Sequence, residues 1–162
     1  MTYFKTEYPS PVGMLTLASD GQALCGIWFE NQAHFGKGAP QPWQEADVPV
    51  LRKTKHWLDR YFAGEEPGFL PPLKPQGTPF QKAVWEHLLG IPYGQTVTYG
   101  QIAQALDCPS SQAVGGAAGR NPISILIPCH RVVGSGGRLT GYAGGLQRKQ
   151  ALLTLEGTTV LV

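Results

Sequence analysis

Thr98-Tyr99-Gly100-Gln101-Ile102-Ala103-Gln104-Ala105-Leu106-Asp107-Cys108-Pro109-Ser110-Ser111-Gln112-Ala113-Val114-Gly115-Gly116-Ala117-Ala118-Gly119 is the stretch on which the architecture of the second half of this chain turns. Thr98 with Gln101 three residues later is a capping box: hydroxyl and amide each satisfy a backbone N–H that the first helical turn leaves orphaned. That pattern predicts a helix from Tyr99 to about Leu106. Asp107-Cys108-Pro109-Ser110 supplies turn residues, and a second helix is expected from about Ser111 to Ala118. Two short helices joined by about four residues form a helix-turn-helix.

Two readings of that pair stand side by side: a structural helix hairpin, or a motif whose second helix docks on DNA. Gly115, Gly116 and Gly119 each cost up to about 1 kcal/mol in helix propensity, so something must require a helix with almost no side chains. A close crossing by another element would require it. So would entry into a groove as narrow as the B-DNA minor groove, about 6 Å wide. Only Gln112 and Arg120 are long and polar here, so such a helix would read little sequence.

Upstream, Thr78-Pro79-Phe80-Gln81 is another capping box with proline in the first turn, predicting a helix to about Leu89 that Gly90 ends. Its expected core face is Phe80, Val84 and Leu88, with Trp85 beside them. Between Gly64 and Gly77 lie Pro67, Gly68, Pro71, Pro72 and Pro75, which read as an extended linker. The domain boundary is placed there, giving residues 1–74 and 75–162. The first domain reads as three strands, Tyr3 to Tyr8, Gly13 to Ala18 and Leu24 to Phe29, in an antiparallel meander covered by a helix from Val48 to Phe62. The expected fold class is thus an α/β N-terminal domain, a small antiparallel sheet plus helix, followed by a mostly α C-terminal helix-turn-helix domain of winged-helix-like type.

Composition narrows the class without naming a function. At 162 residues, 42% hydrophobic and 15% charged, the chain reads as an ordinary soluble globular protein. A formal net charge of +2 is too small to mark a nucleic-acid binder by itself. Three cysteines, Cys25, Cys108 and Cys129, show neither a disulfide framework nor zinc-ligand spacing, so no metal is expected and a reduced, cytoplasmic compartment fits. Neither a signal peptide nor a run of about 18 apolar residues is visible.

Downstream of the helix-turn-helix, Pro128-Cys129-His130-Arg131-Val132 follows the apolar run Ile123-Ser124-Ile125-Leu126-Ile127, which reads as a strand. An imidazole near a thiol can lower its pKa and give the nucleophilic thiolate. A buried, inert cysteine beside a solvated histidine is the more usual reading of such a dipeptide taken alone.

The run from Gly115 to Val133 resembles the signature of the O6-alkylguanine-DNA alkyltransferases. Further similarity lies in Thr78-Pro79-Phe80-Gln81, Thr98-Tyr99-Gly100, Gly141-Tyr142-Ala143-Gly144-Gly145 and Leu152-Leu153-Thr154-Leu155-Glu156-Gly157. The resemblance implies that Cys129 accepts an alkyl group irreversibly from guanine O6 in duplex DNA, in a single turnover without any cofactor. It implies His130 as a water-relayed base, Glu156 orienting the imidazole, and Asn121 as the hinge after the recognition helix. Tyr99, Gly100, Gln112, Ala113, Gly115, Arg120 and Ser135 are the DNA-binding residues it suggests. Tyr99, Val132, Ser124, Tyr142, Ala143 and Gly144 are those of the base pocket. Gln112 departs from the pattern, because many members carry arginine where the flipped base leaves the stack. The implied partner is double-stranded DNA bound through its minor groove by a monomer. The competing classes are a lesion-binding protein without transfer chemistry, which would lack Cys129, and a Cys-His hydrolase, which would leave the glycine-rich helix unexplained.

Overall fold

The computed structural model describes residues 2–159, which fall into two compact units. One comprises the residues up to Gln76 together with Pro122–Ser124; the other comprises Gly77–Asn121 and the residues from Ile125 onward.

In the first unit, β1 (Tyr3–Ser10), β2 (Gly13–Ser19) and β3 (Leu24–Phe29) form the antiparallel meander that the turn residues predict. Asp20 closes the second turn by accepting the amides of Gln22 and Ala23, both at 2.9 Å. A fourth strand, β4 (Trp43–Glu45), pairs parallel to β1, so the sheet is mixed, in the order β3-β2-β1-β4, and not purely antiparallel. Trp43 earns its place there by stacking on Trp28, with centroids 5.6 Å apart, and donating its indole N–H to Ala39 O. Gly26 has no room for a side chain, since a Cβ would lie 2.1 Å from the Trp28 ring. Helix α1 (Pro49–Phe62) buries Val50, Leu51, Thr54, Trp57, Leu58 and Tyr61 along one stripe.

The proline-rich stretch is less free than its composition suggests. Leu24 N–H donates to Pro72 O and Lys74 N–H to Leu24 O, both at 2.8 Å, so the segment adds a bridge to the edge of β3. Farther along the same edge, Ile27 N–H donates to Pro122 O and Ser124 N–H to Ile27 O. These three residues, which a boundary in the linker assigns to the second domain, therefore belong to the first unit's sheet. Together the two segments satisfy backbone groups that an open edge strand would expose.

The second unit opens with α2 (Pro79–Leu89), capped by Thr78 and Gln81 as the sequence predicts. Its core face is Val84, Trp85 and Leu88, whereas Phe80 is 39% exposed. The indole of Trp85 donates to Ala117 O at 2.8 Å, which ties α2 to the glycine-rich helix. The helix-turn-helix consists of α3 (Tyr99–Ala105) and α4 (Ser111–Gly119), each with a side-chain cap. Strands β5 (Val97–Thr98) and β6 (Val132–Val133) pair in parallel, and α5 (Leu146–Leu155) packs against the turn that precedes β6. Among the described residues, no helix is long and apolar enough to cross a membrane.

The run Ile123–Ile127 is not a strand. Ile123 makes one bridge, residues 124–126 turn, and Ile125 adopts φ 74°. A β-branched residue in that region costs on the order of 1–3 kcal/mol. The apolar pattern was real as a burial signal, since Ile123, Ile125, Leu126 and Ile127 are all buried. Its backbone simply turns where periodicity alone predicts extension.

Candidate active site

Cys129 begins a 3-10 turn, Cys129–Arg131, reached from Ile127 through a tight bend in which Cys129 N–H donates to Ile127 O at 2.8 Å. Asn121, just past the end of α4, spans that bend. Its amide N–H group donates to Ile127 O at 2.7 Å and to Cys129 Sγ at 3.3 Å. Cys129 is 6% exposed as a residue, and burial pushes the thiol's pKa up, against the Asn121 amide and the Lys149 charge, which pull it down. The resting sulfur is therefore a neutral thiol held by a donor, and not an open thiolate lowered by its histidine neighbour.

His130 points the other way. Its Nε2 lies 2.6 Å from Glu156 Oε2, and both side chains are fully buried. Burial lowers the imidazole's pKa, opposed by the Glu156 carboxylate. Glu156 also accepts Arg131 Nε at 2.8 Å and Arg131 Nη2 at 3.1 Å, together with the Gly94 N–H at 3.2 Å. The expected histidine–glutamate pair thus exists, and a third partner, Arg131, closes it.

Lys149, like Arg131, is a residue that sequence reasoning missed. In α5 it is 0% exposed, donates Nζ to Thr140 O at 3.0 Å and Gly141 O at 3.3 Å, and lies 5.9 Å from the centre of the Tyr99 ring. Burial lowers its pKa to about 8. Gln147-Arg148-Lys149-Gln150 reads as a solvated face, yet Lys149 stands three and four residues before the buried Leu152 and Leu153. A lysine on the apolar stripe was the available signal. Tyr99 is half-buried; its hydroxyl donates to Gly141 O and accepts from Thr140 Oγ1, both at 3.4 Å.

On α4, Gln112, Ala113, Gly116 and Arg120 are exposed and Gly115 half-exposed. A Cβ at Gly115 would sit 3.7 Å from the Tyr99 ring, an ordinary contact, and Cβ atoms at Gly116 and Gly119 would meet nothing within 4 Å. Close crossing by another element therefore does not account for these glycines, and a smooth outer face remains.

Residues 79–158 match the DNA binding domain of 6-O-methylguanine DNA methyltransferase, and residues 3–75 match its ribonuclease-like domain. The chain belongs to the O6-methylguanine DNA methyltransferase family. It is 48% identical over 157 residues to the methylated-DNA–protein-cysteine methyltransferase of Haemophilus influenzae, covering 94% of this chain and 86% of that one. The namesake from Methanosarcina acetivorans is 46% identical, covering 93% and 96%. Among solved structures, the Mycobacterium tuberculosis O6-methylguanine methyltransferase superposes with a TM-score of 0.82 at 41% identity, covering 96% of this chain and 93% of that one. The M. tuberculosis protein described as OGT in complex with DNA gives 0.83 at 41% identity, covering 96% and 92%.

The remaining residues that the methyltransferase resemblance singles out are scattered in burial. Gly100 is exposed in the first turn of α3, and Ser135 is exposed in a second 3-10 turn, Ser135–Gly137. Tyr142, Ala143 and Gly144 are half-buried in the loop before α5, where Gly145 N–H donates to Tyr142 O. Val132 is fully buried in β6. Ser124 is 2% exposed in the first unit, with its hydroxyl donating to Gln32 Oε1 at 3.4 Å, so its side chain is committed to that contact. Among the described residues, no group of three or more histidines, cysteines or acids gathers as a metal site.

Proposed function

We propose that this protein reverses DNA alkylation directly, moving the alkyl group of O6-alkylguanine to Cys129 Sγ once per molecule. The observation that carries the assignment is the Asn121 amide, which donates to Cys129 Sγ inside a buried turn immediately after the smooth helix. A donor on the sulfur stabilises developing thiolate charge, and does so more strongly in a buried turn than in bulk water.

The smooth face of α4 enters the minor groove, where Gly115, Gly116 and Ala113 allow close approach and Gln112 fills the gap left by the extruded nucleotide. Flipping costs a few kcal/mol, least for a damaged base. Arg120, Gly100 and Ser135 contact the backbone, while Tyr99 and the loop carrying Tyr142, Ala143 and Gly144 enclose the base.

The Cys129 proton leaves by way of water to His130. Sulfur attacks the alkyl carbon, the carbon–O6 bond breaks with its electron pair passing to the guanine, and the resulting guanine anion takes up one proton, balancing the one that His130 received and returns to water. The products are a Cys129 thioether and unmodified guanine. A thioether has no ready leaving path, so each molecule acts once. We place the protein in the cytoplasm, acting as a monomer on duplex DNA without a cofactor.

The test is intact-mass measurement after incubation with duplex DNA carrying O6-methylguanine. One added methyl, mapped to Cys129 and absent from Cys129→Ala, is the expected result. Tight lesion binding with no mass change would replace this reading with that of a lesion-binding protein.

A further inference from the structure

We infer that Arg131 is a positioning residue for alkyl transfer: by forking Glu156 it keeps that carboxylate ionised and His130 a neutral imidazole with its proton on Nε2. This rests on the Cys129 reading above. Arg131 binds Glu156 through Nε and Nη2 while its Nη1 donates to Ile91 O at 2.8 Å, and the guanidinium carbon lies 5.7 Å from the centre of the Tyr93 ring. One side chain thus braces both the carboxylate and the loop before β5, in a geometry that a single ammonium point charge cannot copy fully.

The physical need is specific. Glu156 caps the C-terminus of α5, the end of a helix least favourable to an acid, and its side chain is fully buried. An isolated carboxylate there would draw a proton, either onto itself or onto the imidazole it touches. Either outcome spoils the base. With the guanidinium sharing Glu156, the carboxylate accepts the Nε2–H of a neutral imidazole, and the basic lone pair is on Nδ1.

The charged and titratable groups around His130 are few. Glu156 and Lys149 come from α5 and its cap, and Arg131 and Cys129 come from the histidine's own turn; Tyr93 faces the guanidinium. Helix α2, also packed on this turn, has Val84, Trp85 and Leu88 as its buried residues. Arg131 and Lys149 both oppose protonation of His130, and Arg131 is the one that also grips Glu156.

The experiment is the pH profile of single-turnover methyl transfer for wild type, Arg131→Met and Arg131→Lys. Loss of a charge this close moves a buried titration by about 1 unit or more. Arg131→Met is expected to shift the acid limb of the profile upward by that amount, with transfer recovered at high pH, while Arg131→Lys returns the limb toward wild type. A folded Arg131→Met with the wild-type limb and a uniformly lower rate would overturn the inference. Should Arg131→Met not fold, nitrogen NMR of wild-type His130 decides: a neutral Nε2–H ring at pH 7 supports it, and an imidazolium or an Nδ1–H tautomer overturns it. Wild type that gains no methyl on Cys129 would instead refute the reading on which it rests, so the two failures are separable.

Discussion

Replacing Asn121 by alanine removes, among the contacts of its side chain, two donated N–H bonds of unequal consequence. The bond to Ile127 O is partly redundant, because that carbonyl still accepts Cys129 N–H at 2.8 Å, so the stability lost is about 1 kcal/mol. The bond to Cys129 Sγ at 3.3 Å strengthens as the sulfur becomes anionic, and hydrogen bonds to charged groups are worth about 1.5–3 kcal/mol. The expected loss in transfer rate near neutral pH is therefore about 10- to 150-fold, out of proportion to the change in stability. Because the amide lowers the thiol pKa, its removal raises it, and the rate deficit should shrink as pH climbs through the thiol's titration. Quench-flow transfer with protein in excess over an O6-methylguanine duplex, from pH 6.5 to 10, measures both terms alongside urea unfolding. A variant that unfolds as the wild type does but loses the same factor at every pH would refute the assignment of Asn121 to the sulfur.

Other outcomes are equally specific. Lys149, whose pKa burial lowers from an ordinary 10.5 to about 8, binds fewer protons in the folded chain between those values, so stability should rise with pH across that window by up to about 3 kcal/mol. Lys149→Met should abolish that rise in urea titrations at pH 7 and 10. Gly26→Ala should destabilise by about 1–3 kcal/mol or more, since its Cβ would overlap the Trp28 ring, and equal melting temperatures would contradict the packing. Gln112→Arg should tighten duplex binding and steepen its salt dependence, as read by titration at fixed salt.

What could be read from residues alone follows from how local each determinant is. The capping boxes at Thr78 and Thr98 need only four consecutive residues, and both helices start where the patterns put them. The Asp20 turn is equally local. Strand β4 is three residues long and depends on Trp43 meeting Trp28, a partner distant in sequence. The strand expected over Ile123–Ile127 failed because apolarity records burial, whereas the left-handed Ile125 is a property of the backbone that no periodicity encodes. At the candidate site, Cys129, His130, Asn121 and Glu156 were visible as a resemblance. Arg131 and Lys149 look like ordinary cations until their burial is known.

The short bridge between Ile27 and Pro122–Ser124 bears on how this protein can be cut. A fragment that starts at the linker would retain Cys129, His130 and Glu156, yet Ile123 would lose the strand that pairs with it, and the bend carrying Ile125 would lose one of its two ends. The first unit thus acts as a splint for three residues of the reactive stretch. After protease cleavage within residues 64–77, Pro122–Ser124 should stay paired to Ile27, read as retained amide protection at Ile27 and Ser124; exchange of both amides at the free-chain rate would contradict it.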